Sequence, residues 1–169
     1  SCSGPKKERQ TIEQEIAKWS GRQLQLPAQP VFLRYAFDTV SLAREEREYK
    51  ILVYTDSSGC TSCKLQLPKW KEMLALTDSL LPGKVTYLFF FDNPRMGEIR
   101  HLLKQADLSY PVCIDRAHDL HRLNNFPPNL QFQTFLLDKQ NRVMAVGNPA
   151  LSPAVRELYI RRMTGKEEK

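Results

Sequence analysis

The sequence predicts an α/β fold: a central mixed sheet between layers of helix, three layers deep, with an N-terminal extension. Three observations predict it. Two near-continuous apolar runs rich in β-branched and aromatic residues, 49–55 and 85–91, flank a helical pattern, as strands buried on both faces do when a helix crosses between them. Two shorter strand patterns, 134–137 and 143–146, are joined by the polar turn Asp138-Lys139-Gln140-Asn141, which adds an antiparallel edge. Ser152 as N-cap and Pro153 at the first helical position open a closing helix.

Taken in order, Ser1 to Gln10 are polar and aperiodic and read as a flexible tether. Thr11 stands three residues before Gln14, a capping-box spacing, and Ile12, Ile16 and Trp19 follow at helical intervals until Gly21. Leu24 to Phe37, broken by Pro27 and Pro30, reads as two short strands at a sheet edge. Asp38 to Glu48 is polar and predicts a loop or one helical turn. The strand Tyr49 to Thr55 ends at Asp56-Ser57-Ser58-Gly59, and a long helix is predicted from Cys60 to Leu81, closed by Pro82-Gly83. A strand at Val85 to Phe91, a helix at Arg95 to Ala106, a short strand at Tyr110 to Ile114 and a short helix at Ala117 to Leu123 precede the hairpin. The last helix runs through Val155, Leu158, Tyr159 and Met163 into a charged tail. The predicted organisation is a tether at 1–10, an extension at 11–48, one domain at 49–164 and a tail at 165–169.

With 169 residues, 41% hydrophobic and 26% charged, the chain is long enough for one sizeable core and carries no apolar run of membrane-spanning length. The formal charge of +6 is spread among interspersed acids and bases rather than gathered into a block, and no aromatic-plus-Arg platform or zinc-finger spacing accompanies it. Nucleic acid is therefore not an expected partner.

Of the four cysteines, Cys60 and Cys63 form a C-x-x-C between a buried strand and the start of a helix. Unpaired backbone N–H groups at a helix N-terminus favour negative charge, so Cys60 is the expected nucleophilic thiolate. Cys63, one turn on and expected to be more buried, is the resolving thiol that attacks a mixed disulfide on Cys60. Lys64 adds a positive charge, screened if exposed. Half of a zinc site is an alternative, but a second pair is missing and His101, His118 and His121 lack a matching knuckle, so neither metal nor cofactor is expected. Two inert core cysteines are the other alternative, although a polar Gly-containing turn is a poor setting for them.

These residues resemble the thioredoxin superfamily over Tyr49 to Met163, and most nearly its extracytoplasmic thiol-disulfide oxidoreductases and thioredoxin-like lipoproteins. Lys64 follows the C-x-x-C, and Pro68 stands five positions after Cys63, where members carry a proline that kinks the active-site helix. Tyr110-Pro111-Val112-Cys113-Ile114-Asp115 resembles the extra strand of the peroxiredoxin-related branch, and Thr134-Phe135-Leu136-Leu137-Asp138 resembles the family's Thr-Phe-Leu-Ile-Asp strand. The resemblance implies a thioredoxin-like three-layer sandwich, catalysis by Cys60 and Cys63, and a substrate groove formed by Gly59, Thr61, Ser62 and residue 132.

Departures from the family are specific. Register from Thr134 puts Phe132 where members have a cis-proline, unless Pro127 or Pro128 supplies the bend through a longer loop. Gly59 stands where many members have Trp. Tyr54 takes the place of the buried acid that serves the resolving thiol, which leaves Asp56 as the nearest carboxylate.

Cys113 falls in a predicted central strand and reads as a buried inert thiol. Cys2, in Ser1-Cys2-Ser3-Gly4 ahead of a polar stretch, resembles the lipid-attachment cysteine of a processed bacterial lipoprotein, with an accidental cysteine as the alternative. The functional expectation is a thiol-disulfide oxidoreductase acting on protein thiols or disulfides with an electron donor or acceptor. It is expected to be extracytoplasmic, periplasmic and tethered to a membrane only through a lipid on Cys2. The competing readings are a thioredoxin-like binding or scaffold module with little turnover, and a peroxiredoxin-type peroxidase. For the latter Ser57 fits the hydroxyl position upstream of the cysteine, but Val53 occupies the place of the proline.

Overall fold

The computed structural model describes residues 4–41 and 47–166. Seven strands form one mixed sheet: β1 (Phe32–Arg34), β2 (Asp38–Val40), β3 (Tyr49–Thr55), β4 (Val85–Phe91), β5 (Val112–Ile114), β6 (Thr134–Leu137) and β7 (Val143–Val146), in the order β2-β1-β5-β4-β3-β6-β7. The strands that read as continuous apolar runs are central. β3 pairs in parallel with β4 along its whole length, and β4 in parallel with β5. β6 and β1 lie antiparallel to their inner neighbours, β3 and β5.

Strand alternation sorts the core into two layers. Ile51, Val53, Tyr87, Phe89 and Phe91 face α3 (Leu67–Leu80), α4 (Met96–Gln105) and α6 (Pro153–Thr164), where Trp70, Met73, Ile99, Leu103 and Tyr159 complete the packing. Leu52, Tyr54, Leu88, Phe90 and Phe135 face the other way, against Trp19 at the end of α1 (Gly4–Trp19), Leu120 of α5 (Asp119–Asn124), Phe126 and Phe132. Helices thus cover both faces, as expected for a three-layer α/β sandwich. Ser152 Oγ accepts from the Val155 N–H and caps α6 where the sequence places it.

The N-terminal extension is part of this body. β1 adds to β5 and extends the sheet, while residues beyond Trp19 lie against the start of β7 and the turn before it: Gly21 N–H donates to Val143 O at 2.9 Å, and Leu24 N–H to Asn141 O at 2.8 Å. Trp19 is fully buried between Phe126 and Phe135, with the Arg22 guanidinium 4.4 Å from its ring centroid. Asn124 fastens the same segment by donating to Gln25 O and accepting from Gln25 N–H, both at 2.8 Å.

Three expectations are corrected. The stretch read as a tether is helical from Gly4, because Thr11 does not cap: its hydroxyl donates to Lys7 O one turn back, inside a helix already under way. Asp38–Val40, within the segment read as a loop, is the edge strand β2, its exposed Asp38 and Thr39 hiding the apolar pattern of a strand. The long helix from Cys60 is two helices, α2 (Thr61–Leu65) and α3, separated by Gln66 in the left-handed region at φ 47°. Pro68 therefore kinks nothing. It lies in the first turn of α3, where its missing N–H leaves no hydrogen bond unmade.

Candidate active site

The cysteine pair lies where β3 leaves the middle of the sheet. Residues 56–59 reverse the chain, and Gly59 takes a φ of +74°, a conformation side-chain-bearing residues enter at a cost. A Cβ at 59 would meet nothing closer than Lys64 Cε at 3.9 Å, but the backbone conformation strains any side chain placed there. Cys60 then acts as N-cap of α2 in extended geometry, and its Sγ accepts from the Cys63 N–H at 3.3 Å.

Cys60 and Cys63 are joined by a disulfide with a Cα–Cα separation of 5.3 Å, within the range a native bridge spans. Both cysteines are exposed, and Ser62 Oγ lies 3.4 Å from Cys60 Sγ. The expected burial of Cys63 is not found. Nor does a long helix dipole back the pair, since α2 holds five residues. What favours negative charge on Cys60 is local: the N–H of Cys63 aimed at its sulfur.

The nearby charges are already paired. The Lys64 ammonium contacts Asp56 Oδ1 and donates to Ser58 Oγ at 2.7 Å, and its side chain is 18% exposed rather than free in solvent. Burial pushes the Asp56 carboxyl up. Lys64, the hydroxyl and N–H of Ser58, and Gln133 Nε2 together outweigh that and hold it down to about 2. A carboxylate so tied is a poor proton acceptor, so Asp56 does not serve Cys63 as a general base.

Behind the pair, at the C-terminal ends of β3 and β4, lies a buried polar cluster that sequence reading missed. Asp92 is 5% exposed; it accepts from Tyr54 OH at 3.1 Å through Oδ2 and contacts His118 Nδ1 through Oδ1. Desolvation, followed by the Asp92 carboxylate, raises the Tyr54 phenol far above its ordinary value and keeps it a donor. Next to Asp92, Asn93 donates to Thr61 Oγ1 at 3.3 Å. The signal available in the sequence was Asp92-Asn93, two polar residues directly after a strand whose one polar residue is Thr86.

Of the expected groove residues, Gly59, Thr61 and Ser62 lie with the cysteines, Thr61 turned inward at 7% exposure. Phe132 is corrected: at 4% exposure it belongs to the core layer around Phe126 and Phe135, because residues 130–132 form a 3₁₀ turn that directs it inward. Gln133 faces the cysteine loop instead, its Nε2 donating to Asp56 Oδ2 at 3.2 Å and to Pro127 O at 2.8 Å. No cis peptide occurs among the described residues, so neither Pro127 nor Pro128 supplies one. Cys113 is buried and free, and burial foremost, with Asp115 second, pushes its thiol up to about 12. Cys2 lies outside the described residues. Among those described, no three His, Cys, Asp or Glu converge as a metal site, and no helix is long and apolar enough to cross a membrane.

A parallel βαβ core flanked by antiparallel strands, with a redox-capable cysteine pair opening the helix after the central strand, defines a thioredoxin-like fold. No family model and no curated protein matches the sequence. Among solved structures the chain is similar to PrxQ of Xylella fastidiosa, with a TM-score of 0.61 at 13% identity over 88% of this chain and 97% of that one. It is also similar to a candidate protein disulfide isomerase from Bacteroides thetaiotaomicron, with a TM-score of 0.57 at 14% identity over 86% and 90%. A secreted Mycobacterium tuberculosis disulfide oxidoreductase homologous to E. coli DsbE aligns with a TM-score of 0.52 at 14% identity over 79% and 94%.

Proposed function

We propose that this protein is a thiol-disulfide oxidoreductase that exchanges electrons with protein thiols or disulfides through Cys60 and Cys63. One observation carries the reading: two exposed sulfurs, close enough to bridge, with the Cys63 N–H directed at Cys60 Sγ. In the reducing direction the Cys60 thiolate attacks a partner disulfide. A Cys60–partner S–S bond forms, the partner's own S–S bond breaks, and the first partner sulfur leaves as thiolate. Cys63, after losing its proton to solvent, attacks Cys60 Sγ and closes the bridge. The second partner sulfur leaves, and two electrons have passed to the partner. The oxidising direction is the reverse.

Exposure of both sulfurs suits a macromolecular partner, since a protein disulfide reaches Cys60 without the site opening. The setting is proposed to be extracytoplasmic and periplasmic, with the domain held at a membrane by a lipid on Cys2. The likeness in fold to a secreted disulfide oxidoreductase supports that setting. A peroxidase reading draws on the likeness to PrxQ, but residue 53 is a valine 2% exposed within β3 where that chemistry wants a proline beside the peroxide.

The test is a glutathione redox titration of the pair, with insulin reduction as the turnover assay. Reversible disulfide formation and insulin turnover lost in Cys60→Ser are expected. A pair that titrates but never turns over insulin would identify a scaffold, and peroxide consumption would identify a peroxidase.

A further inference from the structure

Within Cys60-Thr61-Ser62-Cys63 both cysteines and Ser62 are exposed, and Thr61 is the one residue turned into the protein. Its hydroxyl oxygen accepts from Asn93 Nδ2 at 3.3 Å. Asn93 is 3% exposed and fixed at its other end, where Oδ1 accepts from the Arg95 N–H at 2.9 Å. The amide thus ties the first turn of α2 to the end of β4, the neighbouring strand, through a bond sheltered from water.

We propose that Asn93 is a positioning residue for the thiol chemistry, acting through Thr61 to keep the Cys63 N–H on the Cys60 sulfur when the pair is reduced. The inference rests on the oxidoreductase reading and deepens it. In the disulfide form the S–S bond itself fixes the spacing of the two cysteines. Reduction removes that bond, and two glutathione thiols become one glutathione disulfide as Cys60 and Cys63 become thiols. The motif then depends on a helix of five residues, ended by a left-handed Gln66, that is far too short to hold its shape unaided. Lys64 on Asp56 and Ser58, Gln66 Nε2 on Cys63 O and buried Leu65 hold the later part of the helix, and the buried Asn93–Thr61 bond holds its first residue, the one beside Cys60. The contribution of that bond therefore falls mainly on the dithiol form, and above all on the Cys60 thiolate.

The experiment uses the full chain and four variants: Asn93→Ala, Thr61→Val, the double variant, and Thr61→Ser, which keeps the hydroxyl. Each single loss of the bond is expected to shift the glutathione equilibrium about fivefold toward the disulfide. That is about 20 mV more negative, at 29.6 mV per tenfold. The double variant is expected to shift no further than either single one, and Thr61→Ser is expected to keep the wild-type equilibrium. Alkylation of Cys60 in the reduced protein should slow severalfold at pH 7 in the first three variants. Wild-type potential and alkylation rate in Asn93→Ala and Thr61→Val, even with a lowered Tm, would overturn the inference, as would additive shifts in the double variant. If Asn93→Ala does not fold, Thr61→Val measures the same bond from its other end. A wild-type pair that does not titrate reversibly overturns the oxidoreductase reading instead, while the alkylation rates still decide the role of Asn93.

Discussion

Replacing Asp56 by asparagine tests the charge arrangement beside the cysteine loop. The carboxylate accepts from Ser58 N–H at 2.9 Å, Ser58 Oγ at 2.6 Å and Gln133 Nε2 at 3.2 Å, and it contacts the Lys64 ammonium. Its fall from the ordinary 3.8 to about 2 sets a ceiling of about 2.4 kcal/mol at about 1.36 kcal/mol per pH unit. Solvent reaches the pair, whose side chains are 18% and 22% exposed, and screening lowers the expected cost to about 1–2 kcal/mol. For a chain of this length that is about 2–8 °C in Tm. The sign follows from the depressed folded-state value. The stabilisation is complete above pH 3.8, where the unfolded carboxyl is also ionised, and is lost as pH falls through about 2. Thermal unfolding of wild type and Asp56→Asn should therefore differ fully at pH 7 and converge between pH 4 and pH 2. A gap as wide at pH 2 as at pH 7, or none at pH 7, would refute the reasoning.

Asn124→Ala removes both partners of the Gln25 backbone and loosens the chain there, while the bonds to Val143 and Asn141 keep the residues just beyond Trp19 in place; urea unfolding should show a loss of about 2–3 kcal/mol, and an unchanged midpoint would contradict this anchoring. In native buffer near pH 7, mass-resolved alkylation of the reduced protein should modify Cys60 first and leave Cys113 unmodified until denaturant is added, because its thiol is buried and pushed up to about 12.

How much was legible in the sequence follows from the range of the interactions involved. β3 and β4 announce themselves because strands covered on both faces are apolar at nearly every position, Lys50, Thr55 and Thr86 apart, and α6 because Ser152 and Pro153 are local signals. β2 gives no such signal, since an exposed edge strand of three residues reads like the loop around it. The break at Gln66 is hidden by Leu65 and Leu67, two buried residues that fit a continuous helix as well as they fit the end of one and the start of the next. In the site, the cysteines and Gly59 sit on one short stretch of chain and were found. Asn93, Asp92 and Gln133 reach Thr61, Tyr54 and Asp56 across separations of 32, 38 and 77 residues, which no local pattern encodes.

The strip of chain beyond Trp19, bonded to Val143 at the start of β7 and to Asn141 in the turn before it, also acts at a distance. By occupying hydrogen-bonding groups at that corner it shortens the edge on which another extended chain could anneal to β7, and the opposite flank offers only the brief β2. With the sulfurs at the mouth of the middle strands, the proposed exchange calls for a cystine presented end-on to the domain, on a loop or terminus, rather than on a strand paired alongside it.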